Sequence, residues 1–147
     1  ITGTLGSLLG GVWAAHFLKR RDRGDMWFAA VATAIAIPFA FMSFMFKEAW
    51  GYYGAIAVAE FFLFLSQAPV NVVIMESVSP FLRSTALAFS VFMIHLLGDL
   101  ASPPLVGFMA DHIGLEKSVF LLPLALFVAL WFYAQSFMSA KPKSQTN

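Results

Sequence analysis

The sequence has no cysteine and few charges, eight acidic and nine basic side chains in 147 residues. Without cysteine, disulfides and thiolate sites are excluded, and the compartment is left open. The formal net charge is +1, so neither an acidic nor a basic partner is implied. The single basic run lies between apolar stretches, which is not a nucleic-acid patch, and no nucleic acid is expected as a partner. No nucleophile stands beside a base and no metal cluster is evident, so the reading is not an enzyme, with no cofactor and no metal. The chain begins at Ile1, and no basic region precedes its first apolar run. It is not expected to be a signal peptide; it reads as the interior of a longer chain, a fragment.

Hydrophobic residues make up 60% of the chain, and its charges are clustered between long uncharged runs. That pattern predicts an all-α, multi-pass membrane protein. Five spans are expected, at about 1–18, 26–46, 52–78, 84–110 and 118–138, with a disordered tail at 141–147. In the first, Gly3, Gly6 and Gly10 share a face, which suits close helix packing. Pro38 predicts a kink in the second span, and Pro69 loosens the third. Tight or polar connections are expected at 47–51 and 111–117, and Ser84 or Thr85 is a candidate cap for the fourth span. Trp50, Tyr52 and Tyr53 form an interfacial belt. Alternate connections and the tail hold Lys19, Arg20, Arg21, Arg23, Arg83, Lys141 and Lys143, against Lys47 and Lys117 on the other side. The excess of positive charge places the C-terminus in the cytoplasm.

The most informative stretch is Phe92-Met93-Ile94-His95-Leu96-Leu97-Gly98-Asp99-Leu100-Ala101-Ser102-Pro103-Pro104. On an ideal helix His95, Asp99 and Ser102 fall within ~60° of one another. An Asp at mid-membrane costs about 2.5–3.5 kcal/mol, so it requires a partner or water. Pro103 cannot donate to the carbonyl of Asp99, nor Pro104 to that of Leu100, so a bend with free acceptors is expected there. His95 and Asp99 are spaced to pair. One reading is a proton-sensitive pair facing a cavity, and the other is a helix–helix hydrogen bond inside the bundle. A metal pair at that spacing lacks a third ligand.

In the third span Glu60, Gln67 and Asn71 lie within ~40° of each other on the wheel and oppose a Phe-rich face. Glu60 is read as cavity lining or as half of a buried salt bridge; the two amides suit a lipid head group. Glu76 and Arg83 bracket the next turn, either as a rim salt bridge worth less than about 1 kcal/mol or as a gating contact. His16 is read as interfacial, and Asp111 and His112 as solvated loop residues.

The span spacing, the basic loop after the first span and the Pro80…Arg83 turn resemble the second half of a major facilitator superfamily transporter. The chain then corresponds to helices eight to twelve of twelve. The superfamily's loop signature has an Asp four residues after a Gly; here Gly11 is followed by Ala15. Glu60, Pro69-Val70-Asn71, Pro80, Arg83-Ser84-Thr85-Ala86, His95-Leu96-Leu97-Gly98-Asp99, Ser102-Pro103, Gly107 and Asp111 resemble the Spinster family. That resemblance implies alternating access around a central site and a lysophospholipid or related lipid as substrate; the intramembrane Glu60, His95 and Asp99 suggest proton coupling. Glu60, Gln67, Asn71, His95, Asp99 and Ser102 would line the cavity, and Glu76 and Arg83 its cytoplasmic rim. The partners implied are the lipid bilayer, a lipid-like or small-molecule substrate, and the missing N-terminal helices. The location implied is the cell membrane. The alternatives are a facilitator for a small polar or drug-like solute, and a structural or assembly subunit without flux.

Overall fold

The computed structural model describes residues 1–18 and 24–139. The basic connection after the first span and the tail at 141–147 fall outside them. Every element among the described residues is helical, because apolar segments in lipid must satisfy their own backbone groups. The helices are α1 (Thr2–Leu18), α2 (Gly24–Met45), α3 (Ala49–Glu76), α4 (Arg83–Ile94), α5 (Ser102–Ile113), α6 (Leu115–Ser118) and α7 (Leu121–Ser139). Among the described residues four stretches are long and apolar enough to cross a membrane: Gly24–Met45, Ala49–Glu76, Pro80–Ile113 and Leu115–Met138. The first expected span, α1, has 17 residues, at the short limit of about 17–25 for a spanning helix.

Contacts divide the chain into two units, Ile1–Val73 with the residues from Leu126 on, and Ile74–Ala125. In the first unit Phe28 and Ala32 of α2 pack with Leu65 of α3, and Phe61 and Phe62 close around them. Small side chains do much of the rest: Ala29, Ala36, Ala55 and Ala59 are buried. Close approach of backbones is what membrane helices use in place of a hydrophobic driving force. The glycine face of α1 follows the same rule. A β-carbon on Gly6 would lie 2.5 Å from the carbonyl oxygen of Phe61, and one on Gly10 would lie 2.6 Å from that of Leu65. Gly11, off that face, meets nothing within 4 Å. Phe127 of α7 sits against Phe41 of α2, ring centroids 6.1 Å apart.

Several boundaries differ from the sequence expectation. Pro38 and Pro69 lie inside α2 and α3, each of which is one helix. The turn expected at 47–51 is shorter, because α3 already begins at Ala49. Trp50, Tyr52 and Tyr53 therefore sit on its first turns. A one-turn 3-10 helix, Pro80–Leu82, leads directly into α4. The N-cap position is Leu82, without a side-chain cap, so neither Ser84 nor Thr85 plays that part.

The polar loop expected at 111–117 is also helical. Asp111 and His112 close α5, and the ring nitrogen Nδ1 of His112 donates to the carbonyl of Phe108 at 2.8 Å. The break is one residue wide, at Gly114, whose φ of 86° and ψ of 149° suit glycine alone. The hydroxyl of Ser118, the last residue of α6, donates back to the Gly114 carbonyl at 2.9 Å. Gly114→Ala is expected to cost about 1–3 kcal/mol of stability, read as a lower melting temperature of the full-length protein in detergent.

Candidate functional site

The fourth span is not one helix. It is α4, a π-helical turn over His95–Asp99, a two-residue gap at Leu100 and Ala101, and α5. The cause is local and covalent. Pro103 and Pro104 have no N–H, and their rings clash with carbonyls four residues back if an α-helix continues. The chain answers by widening its turn. The N–H of Leu100 reaches back five residues to the carbonyl of His95 at 2.9 Å. The helix then restarts at Ser102, with the prolines in the first turn, where no N–H is required. The bend expected from the sequence takes this form, and the carbonyls of Asp99 and Leu100 receive no bond from Pro103 and Pro104.

His95 and Asp99, the first and last residues of the wide turn, are paired. Nδ1 of His95 donates to Oδ2 of Asp99 at 2.5 Å. The side chains keep 65% and 72% of their accessible surface, so the pair is satisfied internally without being covered by this chain. No residue of the span Pro80–Ile113 is buried. α4 and α5 each have 12 residues, about 18 Å of helix, against a hydrocarbon core of about 30 Å. The π turn therefore falls at depth within the span. Ser102 is the first residue of α5. A π turn re-phases a helix, so the ideal wheel that grouped Ser102 with the pair does not extend past Asp99.

In the first unit, Glu60, Gln67 and Asn71 are all exposed on α3. Its buried residues are Ala55, Ala59, Leu65, Ser66 and Pro69. The polar stripe and the packed face are thus separate, as the periodicity required. Ser66 is turned away and donates to the Leu63 carbonyl at 2.7 Å. Glu60 makes no ion pair among the described residues. Its Oε2 accepts a hydrogen bond from the hydroxyl of Thr2 on α1 at 2.6 Å. Sequence reasoning missed Thr2, and nothing local marks a contact across 58 positions. The glycine face of α1 was the available signal, since it brings α1 against α3. Glu76 ends α3 and Arg83 begins α4, at the two ends of the connecting turn. Both are exposed.

The first unit holds a cavity of about 200 Å³. Its walls are apolar and include Trp13, Trp27, Phe28, Ile35, Phe62 and Leu65. Among the described residues no group of three or more His, Cys, Asp or Glu is arranged to hold a metal ion.

Residues 46–117 match the model of the Organic Anion Transporter Polypeptide (OATP) family. The chain is 35% identical over 130 residues to the probable sphingolipid transporter spinster homolog 1 of Arabidopsis thaliana, covering 88% of this chain and 26% of that protein. It is 35% identical over 115 residues to a sphingosine-1-phosphate transporter of Danio rerio, covering 77% and 23%. It is 32% identical over 120 residues to protein spinster homolog 1 of Homo sapiens, covering 77% and 22%. The chain spans about a quarter of the length of these relatives. Its helical fold and these matches define the class, a segment of a multi-pass membrane protein of the major facilitator type. Within that class the chain is a Spinster-like segment.

Proposed function

We propose that this segment supplies helices eight to twelve of a secondary active transporter. It works by alternating access, with its pathway completed by the remaining helices of a longer chain. The carrying observation is the interrupted fourth span, which sets a paired imidazole and carboxylate on an open turn at bilayer depth. Broken helices and ionisable groups at such depth are the usual marks of substrate and ion paths in transporters. In this reading Glu60, Gln67 and Asn71 are pathway groups on α3, and His95, Asp99 and Ser102 are pathway groups of the interrupted span. Glu76 and Arg83 hold its cytoplasmic rim. Transport in this reading is coupled to protons through the His95–Asp99 pair, and the C-terminus is cytoplasmic in the cell membrane.

The substrate in this reading is a lysophospholipid or a related single-chain lipid. The probable sphingolipid transporter of Arabidopsis and the sphingosine-1-phosphate transporter of Danio, both relatives, support a lipid. So does the apolar cavity of the first unit, whose walls suit an acyl chain. The match to the organic anion family over residues 46–117 favours a second substrate class, a small polar or drug-like solute.

Thermal unfolding of the full-length protein separates the two. A ligand present at a hundred times its Kd adds about 2.7 kcal/mol to the folded state. Lysophosphatidylcholine is expected to raise the melting temperature, and a water-soluble organic anion is not. The reverse result assigns the pathway to the polar solute.

A further inference from the structure

Thr2 is the only hydrogen-bond partner of Glu60 among the described residues. The contact is held by backbone, not by side-chain reach alone. α1 touches α3 through Gly6 on the carbonyl of Phe61 and Gly10 on the carbonyl of Leu65, each too close for a β-carbon. Those two contacts fix the separation of the helices next to the Thr2–Glu60 bond. At the bond itself a β-carbon on Gly3 would lie 3.1 Å from Oε1 of Glu60. The carboxylate thus lies over a glycine, with one oxygen tied to a hydroxyl. Oε1 receives no hydrogen bond from any described residue. Glutamate has freely rotating bonds and is exposed here. Without the hydroxyl its carboxylate would spread over several rotamers and bind an incoming donor less well.

We propose that Thr2 is a positioning residue for Glu60. Its hydroxyl locks Oε2 so that Oε1 is presented, already oriented, to a hydrogen-bond donor on the substrate head group. The proposal rests on the reading of Glu60 as part of the transport pathway. A hydrogen bond to a charged group is worth enough to move affinity by about tenfold. Because the bond acts on binding, its loss falls on the half-saturating concentration and leaves maximal flux in place.

The test uses the full-length protein in vesicles and the flux of radiolabelled lysophosphatidylcholine. Thr2→Val keeps the side-chain shape and removes the donor; Thr2→Ser keeps the donor. Thr2→Val is expected to raise the half-saturating concentration about tenfold, with maximal flux unchanged within about twofold. Thr2→Ser is expected to stay near the parent. In a Glu60→Gln background, Thr2→Val is expected to add little, since the two act through one contact. A Thr2→Val defect confined to maximal flux overturns the proposal, because it reports fewer folded molecules. So does an equal defect in both backgrounds, or a Thr2→Ser variant as weak as Thr2→Val. Parent-like kinetics in Glu60→Gln instead overturn the reading of Glu60 itself.

Discussion

Gly6→Val is expected to unseat α1 from α3. A β-carbon there would stand 2.5 Å from a backbone oxygen, that of Phe61, which has no flexible end to swing aside. At least one helix must move. Overpacking of a close contact costs about 1–3 kcal/mol, and the valine's two γ-carbons enlarge the overlap. Gly10→Val is expected to behave alike, since its β-carbon would stand 2.6 Å from the carbonyl oxygen of Leu65. The control is Gly11→Ala. That position is open, and glycine inside a helix is less favourable than alanine by about 0.5–1 kcal/mol, so this variant is expected to be neutral or slightly more stable. Melting temperature and yield of the full-length protein in detergent read all three. Equal behaviour at Gly6 and Gly11 would mean that α1 does not seat on α3 through glycine. Unseating α1 also withdraws Thr2 from Glu60, so Gly6→Val is expected to weaken transport in whatever protein survives.

Asp99→Asn is expected to abolish the stimulation of lipid flux by a pH gradient. Asparagine has nearly the same shape and still offers an oxygen to Nδ1 of His95, so the hydrogen bond across the π turn is retained. The charge alone is lost. A carboxylate at mid-span costs about 2.5–3.5 kcal/mol to insert, so its removal should not harm folding. Expression at or above the parent level, together with flux indifferent to the gradient, would assign the coupling to Asp99. Flux driven downhill by lipid concentration is expected to persist. Should the gradient stimulate variant and parent alike, the pair is a structural hydrogen bond and the coupling group lies elsewhere.

Much of the membrane architecture is legible in composition. Runs such as 26–46 are uncharged and long enough to cross lipid, and the charged clusters mark where they end. The glycine spacing of α1 announced a close helix contact, because only hydrogen fits where backbones meet. The polar stripe of α3 was equally readable, since a continuous helix keeps its period and Glu60, Gln67 and Asn71 stay on one side. Boundaries were less readable. Gly114 alone separates α5 from α6, and a single glycine among polar residues looks like part of a longer loop.

Amino-acid order alone was enough for the class, the approximate spans and the pairing of His95 with Asp99. These follow from quantities that are local, namely hydropathy along a run and spacing within one turn. The three-dimensional arrangement was needed for two other features. Pro103 and Pro104 announce a disruption, but whether it becomes a kink, a gap or a wide turn depends on which carbonyls the backbone can re-satisfy. Here the backbone takes a π turn, in which the N–H of Leu100 bonds the His95 carbonyl, and it ends the wheel that had placed Ser102 beside the pair. The bond from Thr2 to Glu60 is the second. It joins residues 58 positions apart, and it exists only because glycine lets two helices approach until a hydroxyl and a carboxylate meet.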